Sequence, residues 1–267
     1  MIPALIFGAA LIVIYLLLFL DARRFVVKEE RIAHEKIKEP FTIVQVSDLH
    51  DRRFGINQEK LLASIRAASP DAIVLTGDLF NRHVQTACKN AFTFVNSATD
   101  IAPLFFAEGN HEIALGETGE RYIETIRRMG VNVLRDEYAE CLGIRLIGLK
   151  QYASPQVLSS MLDPDRFNLV LSHRPELFPI YASTEADVVL SGHAHGGQIR
   201  LFGHGIFAPG QGIFPKYTSG LYRRQKSVLF VSKGLGNTIP VPRVFNTPEL
   251  NILKFYPNES KGEKRCL

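Results

Sequence analysis

The sequence predicts a layered α/β domain that follows a membrane-spanning helix. From residue 41 onward, short runs typical of β-strands alternate with amphipathic stretches, the pattern of an α/β domain. An uncharged apolar run occupies residues 2–20. Hydrophobic residues make up 46% of the 267 residues, but 18 of the first 20 are apolar. The rest of the chain therefore has the composition of an ordinary soluble domain.

The first element is the apolar run Ile2–Leu20, which is nineteen residues long. A helix of that length spans about 28 Å, close to the thickness of a bilayer core. Only Met1 precedes the run, and Asp21 follows it without a small-residue cleavage site, which favours an uncleaved anchor over a signal peptide. We expect a transmembrane anchor over residues 1–20. A buried N-terminal helix and an unusual signal peptide are the alternatives.

The second element is a charged segment over residues 21–40. Acidic and basic residues interleave at three- and four-residue spacing, which predicts a solvated helical stalk. Basic side chains occur in this segment but not before the predicted membrane span. The positive-inside rule therefore predicts a single-pass protein of the cell membrane with its C-terminal domain in the cytoplasm. Three cysteines without paired spacing fit a reducing compartment. The net charge of +4 is too small to indicate a nucleic-acid partner.

The remaining elements form one predicted domain over residues 41–257, followed by a polar tail at 258–267. The predicted strands are rich in β-branched and aromatic residues and end at polar or glycine positions. They are Phe41–Ser47, Ala72–Thr76, Pro103–Ala107, Ile144–Leu149, Phe167–Leu171, Asp187–Leu190, Val228–Ser232 and Asn251–Phe255. The predicted helices are Asn57–Ala68, Val84–Asn96, Thr118–Met129 and Pro175–Tyr181.

Side chains that can bind metals or protons follow five successive strands. In open α/β sheets the ligand crevice lies outside the carboxyl ends of the strands, so these side chains are expected to converge. Carboxylates, imidazoles and one amide, without a thiolate, favour Mn, Fe or Zn. These residues can supply up to seven ligands, which are too many for one tetrahedral ion and predict two divalent ions bridged by a carboxylate. The residues are Asp48, His50, Asp78, Asn110, His111, Glu112, His173, His193 and His195.

Local geometry gives two further expectations. Alternate residues of an extended segment point the same way, so Asp48 with His50, and His193 with His195, are each expected to face one pocket. Glycines at positions 77, 109, 192, 196 and 197 are expected to adopt positive φ at the turns after the strands.

Taken together, this ordered set resembles the calcineurin-like metallophosphoesterases over residues 43–198. The stretch 191–200, with residues 233–238 and the pair at 242 and 243, is similar to the bacterial membrane-associated or exported branch of that superfamily. The resemblance implies a four-layer αββα sandwich of two mixed β-sheets with a dinuclear metal centre. It implies that one ion is held by Asp48, His50, Asp78 and His195, and the other by Asp78, Asn110, His173 and His193, with Asp78 as the bridge.

The resemblance also implies that His111 contacts the phosphate and protonates the leaving oxygen. Some family members pair that histidine with an aspartate where this chain has Asn81, and an amide stabilises imidazolium less than a carboxylate does. Glu112 is an alternative group for orienting the neighbourhood.

Two interpretations of the aromatic segment Ile199–Tyr222 are open. It is either a mobile flap whose basic rim, from Lys216 to Lys226, admits an amphiphilic phosphate ester from the membrane, or a glycine-rich loop that buries its aromatics against the core. Among the other histidines, His34 is expected to be solvated, and His83 and His204 have surface, packing or substrate-contact roles.

The sequence as a whole predicts a membrane-anchored, dinuclear-metal phosphoesterase. It would hydrolyse a phosphodiester or pyrophosphate bond with a metal-activated hydroxide, in a phosphate-ester substrate that is a lipid or lipid-linked. Neither a G-x-S-x-G elbow nor a phosphate-binding P-loop motif is present. The alternatives are a general nucleotide phosphodiesterase or phosphomonoesterase, and a catalytically silent, metal-stabilised membrane scaffold.

Overall fold

The structure, a computed structural model, describes residues 24–83, 88–238 and 243–258. The predicted membrane anchor and nearly all of the predicted polar tail lie outside these residues. Within the described ranges, every helix is too short or too polar to cross a bilayer.

The described residues include sixteen strands and six α-helices. The strands are Val26–His34 (β1), Phe41–Val46 (β2), Ala72–Thr76 (β3), Leu104–Ala107 (β4), Asn132–Val133 (β5), Glu137–Cys141 (β6), Ile144–Gly148 (β7), Asn168–Leu171 (β8), Val188–Ser191 (β9), Arg200–Leu201 (β10), His204–Gly205 (β11), Phe207–Ala208 (β12), Gly212–Ile213 (β13), Gly220–Arg224 (β14), Ser227–Val231 (β15) and Glu249–Pro257 (β16). The α-helices are Glu59–Ala68 (α1), Lys89–Ala98 (α2), Asn110–Ala114 (α3), Glu117–Arg128 (α4), Pro155–Met161 (α5) and Phe178–Ala182 (α6). Short 3₁₀ turns occupy Ile56–Gln58, Pro175–Leu177 and His195–Gly197.

Most strands belong to two six-stranded mixed sheets. The first has the order β1-β16-β2-β3-β4-β5, and its strands β2 to β5 are parallel. The second has the order β14-β15-β9-β8-β7-β6, with four parallel central strands between two antiparallel edges. The parallel strands of each sheet therefore end together at one edge.

Three apolar clusters separate the layers. Along β3, Ile73 and Leu75 pack against α1, α2 and α4, whereas Ala72 and Val74 face the second sheet. A third cluster joins the other face of the second sheet to α5 and α6. Because successive strand residues point to opposite faces, one buried strand contributes to two cores. The layers are helix, sheet, sheet and helix, which confirms the predicted α/β fold with mixed sheets.

The eight predicted strands all form, with bounds that differ by no more than two residues from those expected. The helix predicted at Val84–Asn96 begins at Lys89, and residues 84–87 lie outside the described chain.

The prediction of a helical stalk was wrong. Residues 26–34 form β1, which pairs in parallel with β16. Charges four residues apart share a face in a strand as well as in a helix, and here Glu29 contacts Lys254 of β16 at 2.8 Å. Ile32 is buried between the sheets, while its neighbours in sequence are exposed. Charged residues on a paired edge strand also limit association with further strands.

The expectation that His34 is solvated was also wrong. Its ring lies 5.0 Å from that of Phe167, and its Nε2 is 3.5 Å from Asp187 Oδ1. Burial lowers the pKa of His34, although Asp187 opposes that effect.

We predict that Ile32→Ala lowers the free energy of unfolding by about 2–4 kcal/mol, because it opens a cavity between the sheets. The matched truncation Val27→Ala, at a position that is 47% exposed, is expected to change it by less than about 0.5 kcal/mol. Urea denaturation measures both. Equal, small effects would mean that β1 is not packed on the core.

Candidate metal centre

The site lies where the carboxyl ends of parallel strands from the two sheets meet. Strands β2, β3 and β4 lead into it from the first sheet, and β8 and β9 lead into it from the second. All eight predicted site residues come together at this edge. They are Asp48, His50, Asp78, His111, His173, His193 and His195, which are buried, and Asn110, which is half-buried.

The first group of side chains is Asp48, His50 and His195. The Nε2 atoms of His50 and His195 are 3.3 Å apart. Asp48 Oδ1 lies 3.6 Å from His195 Nε2 and 4.0 Å from His50 Nε2. Ring nitrogens that face each other at this distance share at most one proton, so at least one of the two directs a lone pair into the cluster.

The second group surrounds His173. Its Nε2 lies 3.2 Å from Asp78 Oδ2, 3.1 Å from His193 Nδ1 and 3.2 Å from Asn110 Oδ1. One carboxylate, two imidazoles and an amide oxygen therefore converge on a small volume.

Asp78 connects the two groups. The same oxygen, Oδ2, that contacts His173 is 3.7 Å from His50 Nε2. The other oxygen accepts a hydrogen bond from the backbone N–H of His111 at 2.8 Å. Asp78 is thus fixed with one oxygen directed between the groups, the position that a bridging carboxylate requires.

Further hydrogen bonds orient the cluster. His173 Nδ1 donates to the carbonyl of Thr76 at 2.8 Å, which leaves Nε2 of the neutral ring free of its proton and directed at the cluster. Asp48 accepts from Ser47 Oγ at 2.6 Å and from the backbone N–H of His193 at 3.0 Å. Sequence reasoning missed Ser47 and Thr76, since each is an ordinary strand residue.

Glu112 holds the turns that follow β3 and β4. Its carboxylate accepts backbone hydrogen bonds from Asp78 at 2.9 Å, Phe80 at 3.0 Å and Gly109 at 2.7 Å. Burial, and then the nearby Asp78, raise the pKa of Glu112 to about 7. Glu112 therefore orients the site by holding the backbone around Asp78.

Arg243 and Asn246 hold His195 from the opposite side. Arg243 is fully buried, with Nη2 2.9 Å from His195 Nδ1 and Nη1 donating to the carbonyl of Lys233 at 2.7 Å. Asn246 Nδ2 donates to the carbonyl of His195 at 2.7 Å. These contacts direct His195 Nε2 at Asp48 and His50. The role of Arg243 could not be predicted from the sequence, because a contact across 48 residues has no local signature.

Burial and charge together perturb the pKa values of the cluster. Burial, with Asp78 adding, raises the pKa of Asp48 to about 6, and burial lowers those of His50 and His193 to about 3 and about 2. Burial opposes protonation of His173, yet Asp78 and Asp48 raise its pKa to about 10. Burial would also raise the pKa of Asp78, but His173 and His50 hold it well below its usual range. The two buried carboxylates, Asp48 and Asp78, therefore favour the binding of positive charge within the cluster.

The backbone at the site departs from the extended geometry that was expected. Five site residues adopt left-handed conformations, with φ between 46° and 67°, and their side chains converge through tight turns and not through strand alternation. Such conformations are strained for residues other than glycine and persist where surrounding contacts impose them. The five are Asp48, His50, Asp78, His193 and His195.

Two of the glycines serve a different purpose from the one expected. Gly77 has the predicted positive φ of 84°, but Gly109 and Gly192 do not. A Cβ at Gly109 would collide with Asp78 Oδ1, and one at Gly192 would collide with the side chains of Ser47 and Asp48. These glycines leave room for the site carboxylates.

His111 lies at the border of the two groups, with Nε2 4.0 Å from Asp78 Oδ2. Its Nδ1 accepts a hydrogen bond from the backbone N–H of Arg82 at 3.2 Å, so the proton of the neutral ring is on Nε2 and faces the cluster. Burial, and then Arg82, lower its pKa to about 4 despite Asp78. Asn81 is bonded instead to the backbone N–H of His83 at 2.9 Å.

The residues present fit divalent cations. Three overlapping triads have ligand atoms within 4.8 Å of one another, and together they contain all the cluster residues except Asn110. Imidazole and carboxylate ligands without a thiolate are the donors that Mn, Fe and Zn accept.

The aromatic segment Ile199–Tyr222 is partly packed against the core and partly exposed, so neither of the two interpretations describes all of it. Tyr217 is buried and Tyr222 is half-buried, as a packed loop requires, but Phe202 is fully exposed and Phe214 is 78% exposed. Of the expected basic rim from Lys216 to Lys226, the residues after Lys216 do not lie at the site edge. Strand β14 starts at the site edge and carries Arg223, Arg224 and the following turn to the opposite edge.

The part of the chain that matches a known protein family contains the candidate metal centre. A model of the calcineurin-like phosphoesterase family matches residues 41–197, more than half of the chain, and the matched region contains all eight site residues.

Three curated relatives extend the comparison. The chain is 29% identical over 254 residues to the uncharacterized metallophosphoesterase Cj0846 of Campylobacter jejuni, with 89% of this chain and 64% of that protein aligned. It is 29% identical over 233 residues to the phosphodiesterase YaeI of Escherichia coli, covering 80% and 82%. It is 25% identical over 280 aligned positions to the UDP-2,3-diacylglucosamine pyrophosphatase LpxG of Chlamydia muridarum, covering 79% and 82%.

Proposed function

Because the chain belongs to the calcineurin-like phosphoesterase family, we propose that it is a metal-dependent hydrolase that cleaves a phosphodiester or pyrophosphate bond. The observation that carries this proposal is Asp78, whose Oδ2 lies between two groups of histidines at a sheet edge. The names of two relatives, a phosphodiesterase and a pyrophosphatase, support the bond type.

The proposed ligand sets follow the two groups. Asp48, His50, Asp78 and His195 would hold one divalent ion, and Asp78, Asn110, His173 and His193 would hold the other. When bound, two such ions lower the pKa of a water molecule to near neutrality and neutralise the phosphoryl oxygens. Mn, Fe and Zn all suit these donors.

The proposed proton donor is His111. Its Nε2–H faces the cluster, and its own backbone N–H fixes Asp78 at 2.8 Å. His111 and Asp78 are therefore held in one rigid unit, so a leaving oxygen bound beside Asp78 would lie within reach of Nε2. Proton donation needs the imidazolium form of His111, because loss of a proton from the neutral ring would leave an imidazolate. Burial, and then Arg82, oppose that form by lowering the pKa of His111 to about 4, whereas the negative charge of a bound phosphate would favour it.

The finer proposal concerns the location and the substrate. The apolar run Ile2–Leu20 would anchor the protein in the cell membrane, with the hydrolase domain on the cytoplasmic side. The anchor favours a lipid or lipid-linked phosphate ester as substrate. The similarity to a protein named as a UDP-2,3-diacylglucosamine pyrophosphatase supports the same class.

We expect the full chain, loaded with Mn²⁺, to hydrolyse bis(p-nitrophenyl) phosphate, and Asp78→Asn to lower kcat/KM by more than about a hundredfold, since even partners of metal ligands contribute ten- to a hundredfold. Asp165→Asn, at an exposed carboxylate, is the matched control. Activity retained by Asp78→Asn would contradict the proposal. Full metal occupancy without turnover of any ester would favour a metal-stabilised scaffold.

Replacing His111 by Gln tests the proton donor. The loss in kcat is expected to be about 10²–10⁴-fold for an alkyl leaving group and far smaller for nitrophenolate, which departs without a proton. Lys226→Gln, at an exposed position on the opposite edge of the second sheet, is the control. Equal losses for both leaving groups would assign His111 a role in positioning only.

A further inference from the structure

A group of exposed apolar side chains borders the candidate metal centre. We call it the apolar rim. Isolated exposed hydrophobic residues are common, but a contiguous group at the mouth of a site indicates a binding surface. Its members are Leu201 (46% exposed), Phe202 (100%), Phe207 (48%), Ile213 (70%), Phe214 (78%) and Phe245 (77%).

Backbone hydrogen bonds hold the rim together. Strands β10 and β11 form one hairpin, with Phe202 at its turn, and β12 and β13 form a second, in which Phe207 and Ile213 are directly paired. The backbone N–H of Phe214 donates to the carbonyl of Ile206 at 2.8 Å. The N–H of Arg200 donates to the carbonyl of Val244 at 3.0 Å, which places Phe245 beside the first hairpin. The rim is therefore a defined surface built from two hairpins and one adjoining segment.

The rim is attached directly to the candidate site. The backbone N–H of Ile206 donates to the carbonyl of Gly197, two residues after His195, at 3.1 Å. Asn246, the residue after Phe245, bonds to the carbonyl of His195. Anything that covers the rim therefore lies beside the opening of the metal centre.

The rim carries a small excess of positive charge. The segments that form the rim, residues 199–217 and 243–246, contain no aspartate or glutamate and three basic residues, Arg200, Lys216 and Arg243. Glu176, which lies against Gly210 of the second hairpin, is paired with Arg174 at 2.9 Å. Apolar side chains accompanied by a small excess of positive charge are the composition of surfaces that lie in the headgroup region of membranes with anionic lipid.

The direction of β1 brings the chain to the same edge. Strand β16 is antiparallel to β2, whose carboxyl end carries the site, and β1 is parallel to β16. Val26 is therefore at the site edge, where Phe25 packs on Phe54 with ring centres 5.0 Å apart. The apolar run Ile2–Leu20 precedes the described chain by only three residues. A membrane reached by that run lies next to the site edge and not at the opposite end of the sheets.

We propose that the apolar rim docks into the lipid bilayer, so that the metal centre opens onto the membrane surface. Surfaces of this kind bury their apolar side chains about 5–10 Å into the boundary between headgroups and acyl chains. The inference rests on the proposed function for its consequence, which is the substrate class: phosphate esters whose apolar part stays in the bilayer during hydrolysis.

The chain contains no tryptophan, so a single introduced tryptophan reports on docking. The full-length Phe202→Trp variant is reconstituted into phosphatidylcholine and phosphatidylglycerol vesicles, with and without bromine on the acyl chains. Its emission is expected to shift to shorter wavelength and to be quenched by the brominated lipid. Leu142→Trp is the matched control, since Leu142 is 41% exposed in the β6–β7 turn at the opposite edge, and its emission is expected to do neither.

Any other pattern overturns the proposal. Water-like, unquenched emission from residue 202 would show that the rim stays in solution. A blue shift that lacks bromine quenching and rises with protein concentration would assign the rim to contact with a second copy of the chain. Equal quenching at residues 202 and 142 would show that the site edge is not the membrane-facing edge.

Hydrolysis assays on a membrane-bound and a soluble ester distinguish a loss of docking from a loss of catalysis. The double variant Phe202→Ser, Phe214→Ser is assayed on a nitrophenyl phosphodiester with a hexadecyl chain in vesicles and on its soluble methyl counterpart. Turnover of the vesicle-borne ester is expected to fall by about tenfold or more, since burying one phenylalanine changes an equilibrium by roughly one to two powers of ten. Turnover of the soluble ester is expected to stay within about twofold. Unchanged turnover of both esters would contradict docking, whereas inactivity of the unaltered chain on both would contradict the proposed function.

Discussion

The rest of the site depends on one electrostatic constraint: two aspartates are buried side by side at a sheet edge. Asp48 and Asp78 are each almost inaccessible to solvent, and such charges require compensation by nearby positive groups. The protein supplies histidines from both sheets, and the strongly raised pKa of His173 shows where positive charge is most favoured. The left-handed turns, the glycines that leave room for the carboxylates, and the backbone contacts of Glu112 all serve to bring these groups together.

Much of this arrangement could be predicted from the sequence because it follows from strand order. Apolar runs that end in Asp48, Asp78 or His173 mark the ends of parallel strands, and such ends meet at one edge. The route by which the side chains converge could not be predicted, since left-handed φ at Asp48 or His193 results from tertiary contacts. The charge spacing of residues 26–34 suits a strand as well as a helix, and only pairing with β16 decides between them.

The direction of the chain connects the site with its surroundings. Strand β9 leads through His193 and His195 into the hairpins of the apolar rim, and β1 begins at the same edge. The rim could not be distinguished from a packed loop in the sequence, because Tyr217 and Phe214 look alike there although one is buried and the other exposed. Arg243 and Asn246 join that region to His195, so the same segment that positions a proposed ligand also carries Phe245 of the rim.

Calorimetric titration of the metal-free protein with Mn²⁺, in buffers of different ionisation enthalpy, tests the central claim most directly. We predict two ions per chain and release of at least about one proton at neutral pH, since His173, with a pKa of about 10, must lose its proton to become a ligand. The apparent affinity is expected to fall about tenfold per pH unit on acidification, and more steeply below about pH 6, where Asp48 also takes up a proton. Binding of a single ion, or an affinity independent of pH, would contradict a two-ion centre built on Asp48, Asp78 and His173.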